Sequence, residues 1–287
     1  MKNPLSGLLL TAALTAASLI AFAANSVLCR LALGAGSIDP ASFTSVRLIA
    51  GALVLWALAA WRGSRITAAA PQRWWPALML FVYAIGFSLA YVSLTAGTGA
   101  LILFGAVQLT MIGAGLHRGE RLGVVQWCGL ALALSGLIYL VSPGLSAPPP
   151  LGAALMAMAG VAWGTYSLLG RGTADPVATT AANFVRAVPF ALLVSVGMIL
   201  RLHLSVSGVA LAITSGAITS GLGYVIWYSV LPRLTRARAG IAQLAVPPIA
   251  AVSGALLLSE PIGLRLLICT VAILGGVAAA VFSKASS

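Results

Sequence analysis

The sequence predicts an all-α membrane protein of ten transmembrane helices, built from two inverted five-helix repeats. Its 287 residues are 61% hydrophobic and only 7% charged, with a mean hydropathy of +1.07. A soluble protein of this length cannot bury so much apolar surface in one core, so the surrounding solvent must be lipid. Apolar windows long enough to cross a bilayer occur ten times, and motifs of the first half recur in the second.

A helix needs roughly 20 apolar residues to cross the hydrocarbon core. Pro40 and Pro76 stand where a first helical turn tolerates a missing N–H group, and Gly97 and Gly99 supply a very short turn between the third and fourth spans. Windows of that length predict helices over 5–29, 40–61, 76–96, 98–116, 122–142, 151–170, 177–200, 208–230, 240–258 and 264–283.

The repeat is carried by short polar motifs at matching places in the two halves. Five spans per copy is an odd number, so the copies, 1–146 and 147–287, enter the membrane from opposite sides. Inverted repeats of this kind are typical of secondary transporters, whose substrate site lies between the repeats near the midplane. The matching residues are Phe22, Ser26, Arg30, Asp39-Pro40, Arg47 and Glu120 in the first copy, and Trp163, Ser167, Arg171, Asp175-Pro176, Arg186 and Glu260 in the second.

Loop charges predict the orientation. With the N-terminus inside, eleven of the 16 Lys and Arg residues fall in cytoplasmic segments, three (Arg30, Arg201 and Arg265) fall outside, and two lie within spans. This positive-inside bias places both termini in the cytoplasm.

Because the basic residues are spread over short loops, the net charge of +12 does not indicate nucleic-acid binding. The N-terminal segment resembles a signal peptide, but its match to the span around Trp163 predicts a retained helix. Five tryptophans form a predicted interface belt: Trp56, Trp61, Trp74, Trp75 and Trp127.

Few residues could support enzymatic or metal chemistry. The two histidines, His117 and His203, are predicted on opposite sides of the membrane, and the three cysteines follow no metal or disulfide spacing. We therefore expect neither an enzyme nor a cofactor or metal. The four carboxylates all fall at span ends, which argues against proton coupling through a buried carboxylate and favours facilitative transport. They are Asp39, Glu120, Asp175 and Glu260.

Two arginines, Arg47 and Arg186, lie inside spans and must be paired or hydrated there. Arg47 falls in the outer half, where Glu260 is, and Arg186 in the inner half, where Glu120 is. The inverted symmetry thus predicts an Arg47–Glu260 and an Arg186–Glu120 pair. These pairs, or bonds from the arginines to exposed helix carbonyls, could simply hold the bundle together, or the pairs could act as gates that break alternately as each side opens. The sequence favours direct substrate binding by either arginine least.

Deep aromatic residues suggest the substrate cavity. Phe22 and Trp163 occupy equivalent positions and are expected to face each other around it. Aromatic walls with scattered hydroxyl groups suit a neutral or zwitterionic solute with an apolar side chain, although each of these residues could equally serve packing. Gln108 and the Pro247-Pro248 pair, predicted to kink span nine near mid-membrane, are further candidates. The predicted binding residues are Phe22, Tyr83, Tyr91, Gln108, Trp163, Tyr166, Tyr224 and Pro247.

At these motifs the chain resembles the drug/metabolite transporter superfamily, in its ten-helix EamA-type branch. The resemblance rests on Asn25 through Arg30, Gly119-Glu120-Arg121 and Glu260-Pro261. It implies a basket-like bundle with a cavity lined by helices one, three, four, six, eight and nine. It also implies export of amino acids across a bacterial inner membrane. The alternatives are a carrier of nucleotide-sugar or drug-like solutes, and a non-transporting scaffold or receptor, which would not need inverted duplication.

Overall fold

A computed structural model describes the backbone of residues 4–64, 74–117, 119, 123–144, 147–170, 173, 175–234 and 242–282. Within these residues the chain forms ten membrane helices joined by short loops. They are α1 (Pro4–Gly34), α2 (Pro40–Trp61), α3 (Trp74–Tyr91), α4 (Ala96–His117), α5 (Val124–Val141), α6 (Pro150–Leu169), α7 (Pro176–Gly197), α8 (Val206–Arg233), α9 (Val246–Leu258) and α10 (Leu264–Phe282).

The helices confirm the predicted spans, with three informative differences. Residues 92–95 form the turn between α3 and α4, so the prediction that Gly97 and Gly99 make this turn is wrong; both lie inside α4, where they allow close packing of Ala251 and Tyr91. α1 continues to Gly34, one turn and more beyond its predicted end. α9 begins at Val246, six residues later than predicted, and a separate turn precedes it. α1 to α8 are long and apolar enough to span a membrane, whereas α9 and the described part of α10 are shorter apolar helices. All five tryptophans of the predicted interface belt are exposed, as lipid-facing side chains are.

Packing follows the inverted repeat. α2 packs against α7, and α5 against α10, so equivalent helices of the two copies meet directly. α4 also packs against its equivalent α9, and the other main contacts come in matched pairs: α3 with α6 and α8 with α1, α4 with α6 and α9 with α1, and α2 with α8 and α7 with α3. Adding or subtracting five from each helix number converts one contact of a pair into the other. The two five-helix copies therefore interlock around a shared centre instead of standing side by side.

The Asp-Pro motifs of the repeats are helix caps. Asp39 accepts a hydrogen bond from the backbone N–H of Ser42, and Asp175 accepts one from that of Ala178. Proline then fills the first turn, where its missing N–H costs nothing. The second oxygen of Asp39 also accepts from the backbone N–H of His203, in the loop after α7. These carboxylates thus fix helix starts and loops at the two ends of the bundle.

Removing one of these caps tests their contribution to stability. The pKa of the Asp175 carboxyl lies below its usual range, mainly because of hydrogen bonds from the Ser64 side chain and the Ala178 N–H, with Arg62 nearby. A lowered folded-state pKa adds stability at neutral pH, and that stability is lost as pH falls through the lowered value. Asp175→Ala should lower the unfolding free energy by about 0.5–2 kcal/mol at pH 7. Thermal unfolding in detergent should show that the stability difference between the wild-type protein and the Asp175→Ala variant becomes smaller in acid. Asp175→Asn keeps a capping oxygen and should lose less stability than Asp175→Ala. If the stability of the wild-type protein and that of the Asp175→Ala variant change with pH in parallel, the Asp175 carboxylate does not contribute in this way.

Candidate functional site

A buried cavity lies at the centre of the bundle, between the two repeats. Its volume is about 20 Å³, so the surrounding side chains nearly fill it and leave room for about one water molecule. It is lined by residues of α1, α3 and α4 from the first copy and of α6 and α8 from the second, and all of them are buried. Four of the predicted binding residues, Phe22, Tyr83, Trp163 and Tyr224, are among them. The lining residues are Phe22, Asn25, Ser26, Tyr83, Phe87, Leu103, Phe104, Trp163, Thr219 and Tyr224.

Aromatic rings form one wall of the cavity. The ring centroids of Phe22 and Trp163 lie 6.4 Å apart in an edge-to-face arrangement, which confirms that these two repeat-equivalent positions face each other. Trp163 also contacts Tyr224, with centroids 4.8 Å apart, and Tyr83, with centroids 4.9 Å apart. Such offset and edge-on contacts give a continuous aromatic surface on which a flat apolar group can pack.

The polar side of the cavity is organised by Asn25, a residue absent from the predicted site. Its amide nitrogen donates to the Tyr83 hydroxyl (3.4 Å), and its carbonyl oxygen accepts from Ser215 (2.7 Å) and Thr219 (3.1 Å). The sequence signal was available, because an amide inside an apolar helix needs polar partners. Three apolar lining residues, Phe87, Leu103 and Phe104, carry no such signal and were also missed.

The middle of α8 is a π-helix, Ser215–Leu222. π-Helical turns are rare and are frequently found at functional sites. Gly216 lets this segment approach α2 so closely that a Cβ atom there would collide with the carbonyl oxygen of Arg47. The segment thereby brings Thr219 to the cavity and Ser220 to Arg47.

Arg47 lies directly behind the aromatic wall and is 1% exposed. Its Nη2 donates to the Tyr83 hydroxyl (3.0 Å) and its Nε to the Ser220 hydroxyl (3.2 Å). Its guanidinium carbon lies 5.3 Å from the ring centroid of Tyr83 and 5.1 Å from that of Phe87, so both rings offer cation–π stabilisation. The remaining nitrogen, Nη1, is buried without a hydrogen-bond partner.

The expected Arg47–Glu260 pair is wrong for this structure. Glu260 Oε1 instead accepts from Arg30 Nε at 2.9 Å, and Oε2 accepts from the backbone N–H of Ala96 at 2.8 Å. The reason is that Arg47 and Glu260 lie at different depths along the bundle. Arg30 lies in the last turns of α1, level with Glu260 at the end of α9, whereas Arg47 is seven residues into α2, about 10 Å from the helix start.

The Arg30–Glu260 ion pair ties together three parts of one end of the bundle. Besides Glu260, Arg30 binds the backbone oxygens of Tyr91 and Val92 at the end of α3, at 3.1 and 3.0 Å. Glu260 adds its charge to the N-terminus of α4, where the helix dipole favours an anion. Tyr91 belongs to this cluster and does not line the cavity; its hydroxyl donates to the Ala96 carbonyl (3.3 Å).

The other predicted residues are placed elsewhere. Arg186 is buried on α7, and its predicted partner Glu120 lies outside the described residues. Gln108 and Tyr166 are buried near the cavity without lining it. The predicted mid-span kink at Pro247-Pro248 is corrected: the two prolines occupy the first turn of α9, where no hydrogen-bond donor is needed, and they do not line the cavity.

Comparison with known proteins gives concordant matches. A family model described as the EamA-like transporter family matches residues 9–142 and 150–282. The chain is 53% identical over 270 residues to an uncharacterized protein of Pseudomonas aeruginosa, covering 93% of each. It is 24% identical over 188 residues to an uncharacterized transporter of Archaeoglobus fulgidus, covering 64% of this chain and 67% of that one. A crystal structure of a protein 22% identical in sequence has the same fold, with a TM-score of 0.63 over 92% of this chain and 97% of that one.

Proposed function

The chain belongs to the EamA-like transporter family of multi-pass membrane proteins, and we propose that it exports aromatic and other neutral amino acids from a bacterial cell. In this proposal the repeats, 1–146 and 147–287, form one transport unit in the inner membrane, with both termini in the cytoplasm. The unit works by alternating access and without a cofactor. Its orientation rests on the positive-inside distribution of Lys and Arg.

The central cavity is the observation that carries the proposal. It lies between the copies, as substrate sites of inverted-repeat transporters do, and combines an aromatic wall with the Asn25 amide and the Ser26 and Thr219 hydroxyl groups. Pockets with mostly apolar walls and a few polar groups suit small solutes of matching polarity. In layout and in its aromatic residues the chain is similar to the YddG aromatic amino acid exporter, which supports the same substrate class.

The placement of the described carboxylates supports facilitative transport. Asp39 and Asp175 cap helices at the ends of the bundle, and Glu260 is held by Arg30. None of the ten residues that line the cavity is a carboxylate. Proton-driven carriers usually keep an ionisable group on the substrate path, so we propose that flux follows the substrate gradient alone.

The Arg30–Glu260 pair provides the gate of this mechanism. In this proposal it closes the end of the bundle that faces outside, and the residues lining the cavity are all buried. Opening this end requires the pair to separate. The repeat assigns the same function at the opposite end to Arg171 and Glu120, which occupy equivalent sequence positions and lie outside the described residues.

Substituting Trp163 tests the cavity directly. Trp163→Ala removes the ring that contacts three other aromatic residues there, and aromatic contacts are each worth about 0.5–1.5 kcal/mol beyond burial. We expect efflux of labelled L-phenylalanine from proteoliposomes to fall roughly tenfold or more. Trp127→Ala, at an exposed tryptophan, is the matched control and should transport normally. Normal efflux by the Trp163→Ala variant would remove this residue from the substrate site.

The same vesicles separate the alternative functions. Flux of amino acids that is unchanged by an imposed proton gradient supports facilitative export, while strict dependence on the gradient would refute it. Vesicles that move nucleotide-sugars or lipophilic drugs but ignore every amino acid would replace the proposed substrate class. Absence of flux for all three classes would favour a non-transporting scaffold.

A further inference from the structure

We propose that Arg47 receives the carboxylate of the substrate, so that the cavity selects aromatic carboxylates whether or not they carry an amino group. This inference rests on the proposed function and refines it, because it names the chemical group that the site requires. It also assigns a binding function to a residue that the sequence predicted to be a gating or structural partner of Glu260.

The first argument is the unsatisfied donor. A buried N–H group without a partner costs about 1–3 kcal/mol, and more when it is charged. Arg47 is held by Tyr83 and Ser220 through two of its nitrogens, yet Nη1 is buried and unpartnered. A guanidinium held through two nitrogens, with the third buried but unpartnered, is fixed in one orientation for an acceptor that reaches it.

The second argument is position. Tyr83 and Phe87 both line the cavity, and both rings also contact the Arg47 guanidinium. Thr219 lines the cavity as well, and the next residue, Ser220, holds Arg47 Nε. The guanidinium is thus separated from the cavity by the thickness of one layer of side chains. The proposal requires the Tyr83 or Phe87 ring, which both contact the guanidinium, to move aside when a solute binds.

The third argument is charge. In the described part of the chain, Glu260 pairs with Arg30 at the end of the bundle and not with Arg47. Among the described residues, hydroxyl groups and ring faces surround the positive charge of Arg47 beside the cavity. Buried charges are tolerated when they are paired, and a carboxylate matches the planar guanidinium fork best. The residues that line the cavity include no carboxylate that could bind an ammonium group.

Three probes of matched size test the proposal on the intact protein: L-phenylalanine, 3-phenylpropionate and 2-phenylethylamine. The purified protein in detergent is heated with each, because a ligand that binds the folded state raises the unfolding temperature. We expect the two carboxylates to stabilise the protein and the amine to bind at least roughly tenfold more weakly, as expected for loss of a charged hydrogen bond. Equal stabilisation by the amine would overturn this inference and leave the proposed substrate class standing. No stabilisation by any probe would overturn both.

Variants of Arg47 locate the effect. In Arg47→Met the stabilisation by 3-phenylpropionate should be lost, and in Arg47→Lys, which keeps the charge but not the fork, it should be weakened. Arg201→Met, at an exposed arginine after α7, is the control and should respond as the wild type does. Unchanged stabilisation by 3-phenylpropionate in a folded Arg47→Met variant would place the carboxylate elsewhere.

Discussion

Replacing Glu260 with alanine should expose Cys29 to a membrane-impermeant thiol reagent that does not reach it in the wild-type protein. Cys29 is fully buried next to Arg30 on α1, just inside the Arg30–Glu260 pair. The substitution removes both the ion pair and the hydrogen bond to the Ala96 N–H, and it leaves Arg30 without its anion. Loss of charged hydrogen bonds worth about 1.5–3 kcal/mol raises the open fraction roughly 10- to 100-fold.

The measurement uses native cysteines. With Cys128 and Cys269 changed to serine, Cys29 is the one thiol left, and its labelling rate reports opening at this end. Arg30→Ala should have a similar effect, and the double variant should be no more open than either single variant, because the pair acts as a unit. Arg265→Ala is the control: Arg265 lies at the same end, bound to the Tyr139 carbonyl, at the α5–α10 contact. Additive effects of the Arg30 and Glu260 substitutions, or equal labelling after Arg265→Ala, would show that the pair is not a gate.

The sequence predicted the fold well because lipid simplifies the problem. Each helix must satisfy its own backbone hydrogen bonds inside the membrane, so apolar windows locate helices directly, as at α2 and α7, whose starts are marked by Asp-Pro caps. α9 was placed less accurately, because an apolar window does not show where a proline pair starts a helix instead of bending one. The difference between Val246 and residue 240 is a consequence of that ambiguity.

The site was only partly predictable. Aromatic residues deep in spans could be recognised, and Phe22 and Trp163 face each other as the repeat required. The π-helix could not be recognised from the sequence. Its wider turn depends on the packing of α8 against α2 and α1, and that packing leaves no pattern in the local sequence. The approach of Ser220 to Arg47 follows from that turn. A residue-by-residue projection of an ideal helix therefore misplaces part of the polar side of the cavity.

The Arg47–Glu260 prediction was wrong because only arginines inside spans were considered. Arg30 was counted as an exterior loop charge, although it stands in the repeated motif itself, at the place of Arg171 in the second copy. α1 extends to Gly34, which keeps Arg30 within the helix and turns it towards Glu260. Arg171 and Glu120 occupy the equivalent sequence positions, and both lie outside the described residues.

Gly216→Ala should destabilise the protein and abolish transport together. The added Cβ atom would meet the backbone carbonyl of Arg47, which cannot rotate away as a side chain can. Overpacking a buried contact costs typically about 1–3 kcal/mol. Relief requires α8 to move away from α2, and the same movement withdraws Ser220 from Arg47 and Thr219 from Asn25. The expected result is a lower unfolding temperature in detergent and loss of labelled L-phenylalanine efflux.

Gly275→Ala is the matched control for Gly216→Ala, because a Cβ atom at Gly275 has no neighbour within 4 Å. Alanine also favours a helix over glycine by about 1 kcal/mol, so the control should be as stable as the wild type or more so. If the two variants unfold at the same temperature, α2 and the π-helix do not meet as closely as the structure places them. If Gly216→Ala is stable but inactive, the contact serves the movement of α8 more than the assembly of the bundle. The combined loss is expected because one glycine sets both the helix crossing and the position of Arg47 beside the cavity.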